Sequence, residues 1–157
     1  MTDRIKLEVL GRREFVLGAG AAALLVAILP GIEEAVAAET WQDTVKRLTG
    51  GATPTEGKVT LKLPEIAENR NTVPYTVLVD SPMTDKDYVK AVHVIATGNP
   101  TPLVVSFGLA PMTGKAKISS RMRMGKTQEI MVLAQMSDGK VMMGKKTVKV
   151  TIGGCGG

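Results

Sequence analysis

Cysteine and histidine each occur once in this 157-residue chain, and five side chains in all are aromatic. A single cysteine cannot close an internal disulfide. One histidine and one cysteine are too few for a zinc or copper site, which draws several such ligands from the protein. With one Trp, two Tyr and two Phe there is little to stack on nucleic-acid bases, and the 20 Lys and Arg are scattered against 15 Asp and Glu rather than gathered in blocks. No Gly-x-Ser-x-Gly elbow is present, and no glycine-rich loop with a P-loop lysine stands between a strand and a helix. Serine hydrolysis and nucleotide use are therefore not indicated. No apolar run is long enough to span a bilayer either: the uncharged stretch 18–29 has 12 residues, against about 20 for a spanning helix.

That short run is informative in its own right. It follows Gly11-Arg12-Arg13-Glu14-Phe15 and precedes the small-residue site Val36-Ala37-Ala38, the layout of an export signal peptide. Arg12 and Arg13, with Phe15 just after them, favour the twin-arginine route over an ordinary secretory signal or a retained anchor. The expected organisation is a removed signal over 1–38, one domain over 39–152 and a terminal segment over 153–157, located in the periplasm without stable membrane association. From Glu39 onward there are 16 Lys and Arg against 10 Asp and Glu. An excess of this size suits a solvated basic surface, or one that receives anions or acidic partners.

The terminal segment holds the cysteine: Gly153-Gly154-Cys155-Gly156-Gly157. Glycines on both sides give the widest backbone range and the least bulk, so the sequence predicts a flexible, narrow arm. Five extended residues reach about 17 Å. No core can form around a glycine run, which excludes the usual role of a lone cysteine as a small buried apolar residue. An exposed thiol ionises near ~8.5, so only a few per cent is thiolate at neutral pH. No neighbour in the sequence would raise that fraction, so activation has to come from whatever site receives the arm.

Between signal and arm the patterns are mostly those of strands. Trp41, Val45 and Leu48 fall on one helical face, with Thr40 as N-cap and Gly50-Gly51 as the stop, predicting a short helix. Seven strands are predicted, over 58–63, 73–80, 90–97, 102–107, 115–124, 128–136 and 140–152, with Ser137-Asp138-Gly139 turning a hairpin. In the fifth, Ala116, Ile118, Ser120, Met122 and Met124 are expected inside, and Lys117, Ser119, Arg121 and Arg123 outside. Pro74 marks a strand start or edge. The fold class is thus all-β, an immunoglobulin-like antiparallel β-sandwich of about seven strands, without the Cys…Trp…Cys signature. His93 is expected as a packed or hydrogen-bonded strand residue. Asp80, Asp85 and Asp87, around Ser81-Pro82-Met83, are expected as turn formers and caps. The methionines, Met122, Met124, Met142 and Met143 among them, are expected to fill core gaps, with an adaptable binding face as the alternative.

The tail, from Val150-Thr151-Ile152 through the glycines and Cys155, resembles that of the SoxY family, the sulfur-carrier subunit of the bacterial Sox thiosulfate-oxidation system. Pro64-Glu65-Ile66-Ala67-Glu68-Asn69, Val73-Pro74, Ser81-Pro82-Met83, Asp87-Tyr88-Val89, Asn99-Pro100-Thr101-Pro102 and Ser137-Asp138-Gly139 extend the resemblance over nearly all the mature chain. Arg70 departs from it, standing where relatives carry a glycine after Glu-Asn; a positive φ there would strain the arginine. The resemblance implies a non-catalytic carrier without a cofactor, paired with SoxZ as a heterodimer. It also implies Cys155 as the covalent sulfur attachment site. The SoxAX cytochrome, the SoxB hydrolase and, in some bacteria, a sulfane dehydrogenase would act in turn on the attached group. Two other readings exist: a periplasmic sandwich that serves as a scaffold with an incidental cysteine, and a ubiquitin-like carrier that holds sulfur as a thiocarboxylate on a terminal Gly-Gly. The second needs cytosolic ATP, which the export signal argues against.

Overall fold

The computed structural model describes residues 39–151. The helix α1 spans Trp41–Thr49; the Thr40 hydroxyl accepts from the Asp43 N–H, and Gly50 ends the helix at φ 61°. That left-handed geometry is one glycine adopts without a Cβ penalty.

Nine strands follow: β1 (Thr55–Glu56), β2 (Val59–Lys62), β3 (Ile66–Ala67), β4 (Val73–Val79), β5 (Val89–Ala96), β6 (Leu103–Gly108), β7 (Lys117–Met122), β8 (Gln128–Met136) and β9 (Val141–Val150). Seven of them are the expected strands, with ends matching or differing by one or two residues: β5 begins and β6 ends one residue outside the expected range, and four others are trimmed. They form two sheets, one ordered β1-β9-β8-β5-β6 with β3 also on β9, the other β2-β4-β7. The two-residue strands β1 and β3 were not expected. Both run parallel to β9 along its free edge, Thr55 beside Met142 and Ile66 beside Lys149. Two residues carry no periodicity, so the sequence pattern is silent about them. What places them is the row of backbone groups on β9 that would otherwise lack partners.

The sandwich closes over alternating side chains. Val92, Val94 and Ala96 of β5 and Ile130, Val132 and Ala134 of β8 meet Val73, Tyr75 and Val77 of β4 and Ile118 and Met122 of β7 in one buried cluster. Ile95, Met131, Leu133 and Val141 point the opposite way and are covered by Trp41, Val45 and Leu48 of α1. The central strands β5 and β8 are thereby buried on both faces, and the helix is pinned to the sheet by a bond from the Gln135 amide to the Leu48 carbonyl. Where β2 passes β9, a Cβ on Gly144 would lie 2.8 Å from Val59 Cγ1 and 2.9 Å from its carbonyl oxygen, so only glycine fits.

Three expectations change in detail. Ser120 is exposed, not buried, although Ile118 and Met122 on either side of it in the edge strand β7 are buried. Arg70 is not among the residues with positive φ, so it carries no left-handed strain; that backbone occurs instead at Lys58 and Met83, at 56° and 52°. Around Met83 the capping groups are hydroxyls rather than the aspartates: Ser81 Oγ accepts from the Met83 N–H and Thr84 Oγ1 from the Asp87 N–H. The Ser137-Asp138-Gly139 hairpin forms as expected, closed by Met136 N–H to the Lys140 carbonyl, with Gly139 at φ 87°. Met83, Met122, Met124, Met131 and Met136 are buried, which is the core role expected of them, whereas Met112 is 93% exposed.

Candidate functional site

Cys155, the arm glycines Gly153, Gly154, Gly156 and Gly157, and the signal residues Arg12 and Arg13 lie outside the described residues. The structure describes the ground from which the cysteine-bearing segment departs. That ground is the last turn of pairing on β9, and it is held from both sides.

On the outer side, Lys149 N–H donates to the Glu65 carbonyl at 2.9 Å and Thr151 N–H to the Ala67 carbonyl at 3.3 Å. These are the bonds of β3, whose residues come from the Pro64-Glu65-Ile66-Ala67 motif. On the inner side, Val150 N–H donates to Thr127 Oγ1 at 2.9 Å. Lys146 Nζ adds a bond to the Leu63 carbonyl at 2.9 Å, tying the end of β2 to the same strand. Backbone bonds of this kind are modest singly but add along a short segment. The last described residue, Thr151, is thus attached to the sandwich directly.

Thr127 is itself held in place by a polar cluster. Asn99, from Asn99-Pro100-Thr101-Pro102, donates through Nδ2 to the Arg123 carbonyl at 2.9 Å and accepts at Oδ1 from Gly125 N–H at 3.0 Å and Gln128 Nε2 at 2.8 Å. Gln128 Oε1 accepts from Gly98 N–H at 2.7 Å. A Cβ on Gly98 would come within 2.9 Å of Lys126 Cε and 3.0 Å of Gln128 Cβ. The β5–β6 and β7–β8 loops are locked together here, and Thr127 is carried by the second of them. Residue-by-residue reading of the sequence missed Thr127, Asn99 and Gln128 as supports. The repeated prolines around Asn99-Pro100-Thr101-Pro102 mark a shaped loop, but not its partner 24 to 29 residues away.

Elsewhere the described residues offer little for catalysis. His93 is buried, with Nδ1 2.7 Å from Ser106 Oγ, the hydrogen-bonded strand role expected of it. Burial pushes its pKa below the usual imidazole value, outweighing a neighbouring Gln135 amide that favours the charged ring. Burial likewise raises the Tyr75 hydroxyl, against a smaller opposite pull from Ser120. Among the described residues no three His, Cys, Asp or Glu side chains gather as a metal site, and no helix is long and apolar enough to cross a membrane.

Fold and site together define a class: a two-sheet immunoglobulin-like sandwich whose last strand is clamped at its root and leads into a glycine-flanked cysteine. The model of the family "Sulfur oxidation protein SoxY" matches residues 45–155, and the chain belongs to that family. It is similar to a solved structure of the sulfur carrier protein SoxY from Chlorobium limicola f thiosulfatophilum, at 34% identity and TM-score 0.60, covering 71% of this chain and 96% of that one. A superoxide reductase (neelaredoxin) from Ignicoccus hospitalis matches at 12% identity and TM-score 0.54, covering 60% of this chain and 81% of that one. A putative superoxide reductase from Thermotoga maritima matches at 14% identity and TM-score 0.52, over 63% and 88%. These two likenesses concern the sandwich fold alone. No match was found among curated proteins. Family membership assigns the chain to sulfur oxidation in the role of a carrier.

Proposed function

We propose that Cys155 is the point of covalent attachment, and that the chain carries thiosulfate-derived sulfur on it from one periplasmic Sox enzyme to the next. The observation that carries this reading is that the family match runs to residue 155 and so takes in the chain's single cysteine. In the loading step the thiol joins the outer sulfur of thiosulfate. A disulfide bond forms, one proton leaves, and two electrons pass to a c-type cytochrome, the role of SoxAX. The product is a cysteine S-thiosulfonate. Water then cleaves the bond between that attached sulfur and the sulfonate sulfur, the role of SoxB, releasing sulfate and a proton and leaving a persulfide. A sulfane dehydrogenase would oxidise that outer sulfur further. SoxZ is the heterodimer partner. The chain supplies the thiol and its reach and the enzymes supply activation, since no charged group neighbours Cys155 in the sequence to raise its thiolate fraction.

Intact mass of the protein from thiosulfate-grown cells tests the reading. Added sulfur and thiosulfonate are expected on wild type and are expected to vanish in Cys155→Ser with the melting temperature unchanged. A thiol that is always bare, or a Cys155→Ser strain that oxidises thiosulfate normally, would sink it. Loss of function on deleting Gly157 alone, with Cys155→Ser silent, would point instead to a terminal thiocarboxylate.

Periplasmic location by the twin-arginine route belongs to the same proposal and rests on Arg12, Arg13 and the 12-residue apolar stretch. That route carries folded proteins, so it can take a bound partner that has no signal of its own. Replacing Arg12 and Arg13 by lysine is expected to leave both this chain and SoxZ in the cytoplasmic fraction; normal export of SoxZ would break the link between them.

A further inference from the structure

Among the described residues no element covers the outer face of the β2-β4-β7 sheet, and its outward positions follow from register. Thr60, Leu78 and Lys117 lie in one row, and Lys62, Thr76 and Ser119 in the next. Pro74 and Arg121 make the third. Lys62, Lys117 and Arg121 are all exposed. The outward positions include no carboxylate, and the three ion pairs found among the described residues, Arg47–Glu39, Lys140–Asp138 and Lys145–Glu56, involve none of these cations. Asp80, just past the end of β4, donates its N–H to the Lys58 carbonyl at 2.7 Å and borders the face at the Leu78 end. Between the cations sits the Thr76–Ser119 hydroxyl pair, 2.9 Å apart, and beside Lys117 in the end row Leu78, a large apolar side chain, is left 40% exposed.

Spacing says what such a face can bind. At about 3.3 Å per residue and about 4.8 Å per strand, Lys62, Lys117 and Arg121 stand roughly 10–13 Å apart on the sheet. They are too widely spaced to converge on one small oxyanion, and they match several carboxylates spread over a second surface. The face is flat, with no projecting aromatic to stack on a base and no apolar helix to enter a bilayer. Unpaired cations spread around a hydroxyl pair, with one exposed apolar side chain at the end of the face, instead fit the polar, charge-complementary part of a protein contact.

We infer that the outer face of the β2-β4-β7 sheet is a docking surface for a protein that presents a carboxylate-rich patch, with Lys62, Lys117 and Arg121 as the charged contacts and Leu78 beside Lys117 at one end. Lys62 and Arg121 mark the end of the face from which β2 passes through Leu63 and Pro64 into β3, the strand paired with the end of β9. The inference rests on the sheet alone and stands whether or not Cys155 carries sulfur.

The test uses the full chain and poly-L-glutamate as the probe, read by fluorescence anisotropy at low and at moderate salt. Charge reversal at Lys62, Lys117 and Arg121 to glutamate is expected to weaken binding by about tenfold or more and to flatten its salt dependence. Reversal of Lys46, Lys86 and Lys90 changes net charge equally on other surfaces and is expected to alter binding by no more than about twofold. Equal losses in the two triple variants would mean that net charge alone is being read and would overturn the inference, as would no loss in the first. The glutamine triple at the same three positions keeps the question open to decision if the reversal variant does not fold. Tighter face-dependent binding to phosphatidylglycerol vesicles or to duplex DNA than to polyglutamate would also overturn it.

Discussion

The two sheets of this sandwich share one core and have opposite outer faces. The larger sheet is covered: Ile95, Met131, Leu133 and Val141 lie under Trp41, Val45 and Leu48 of α1, so β5 and β8 are buried on both sides. The smaller sheet has one buried face and one set with Thr60, Lys62, Thr76, Lys117 and Arg121. Burial on both faces builds stability, because each apolar side chain removed from water contributes about 1.5–3 kcal/mol. A face left open contributes nothing of that kind and is free for contact. The covered sheet provides rigidity, and the open sheet is the one inferred to dock a partner.

Substitutions of equal chemistry on the two sheets should separate these roles. Leu133→Ala empties a fully buried site under α1 and is expected to cost about 2–5 kcal/mol in urea denaturation; a loss below about 1 kcal/mol would mean the helix is a loose cover. An intermediate effect is expected from acid. Burial lowers the pKa of His93 in the folded state, so the unfolded chain binds the proton more readily. Its contribution to stability is then complete above the unfolded value of about 6.5 and is lost as pH falls through the lower folded value. Melting temperature should drop over that window in wild type and drop less in His93→Gln; parallel curves would show the ring is neutral to folding. The smallest effect is expected at Leu78→Ala on the open face, within about 0.5 kcal/mol. A larger loss there would show that the face is packed rather than available.

Legibility followed the length of the pattern. Val92, Val94 and Ala96 against Ala91, His93 and Ile95 is a long alternation, and it was readable as a strand with two different faces. Thr40 and Gly50-Gly51 bracket a clear apolar stripe, and the helix appears between them. The two-residue strands β1 and β3 have no pattern to read, and alternation gives no sign that Ser120 is exposed while Ile118 and Met122 on either side of it are buried. Around the site the difference is sharper. Cys155 and its glycines announce themselves by composition, whereas Thr127, Asn99 and Gln128 are ordinary polar residues until the fold brings their loops together.

By itself the sequence determined the chemistry and its placement in the chain. One cysteine between paired glycines can be written and read locally, because reactivity and backbone freedom are properties of a few adjacent residues. The strand and helix segments were determined in the same local way, by periodicity. Only the tertiary structure decided which face of which sheet is covered, and how the end of β9 is secured by Glu65, Ala67 and Thr127. Those depend on contacts between segments dozens of residues apart, where burial and hydrogen-bond satisfaction are settled jointly and no single stretch carries the answer.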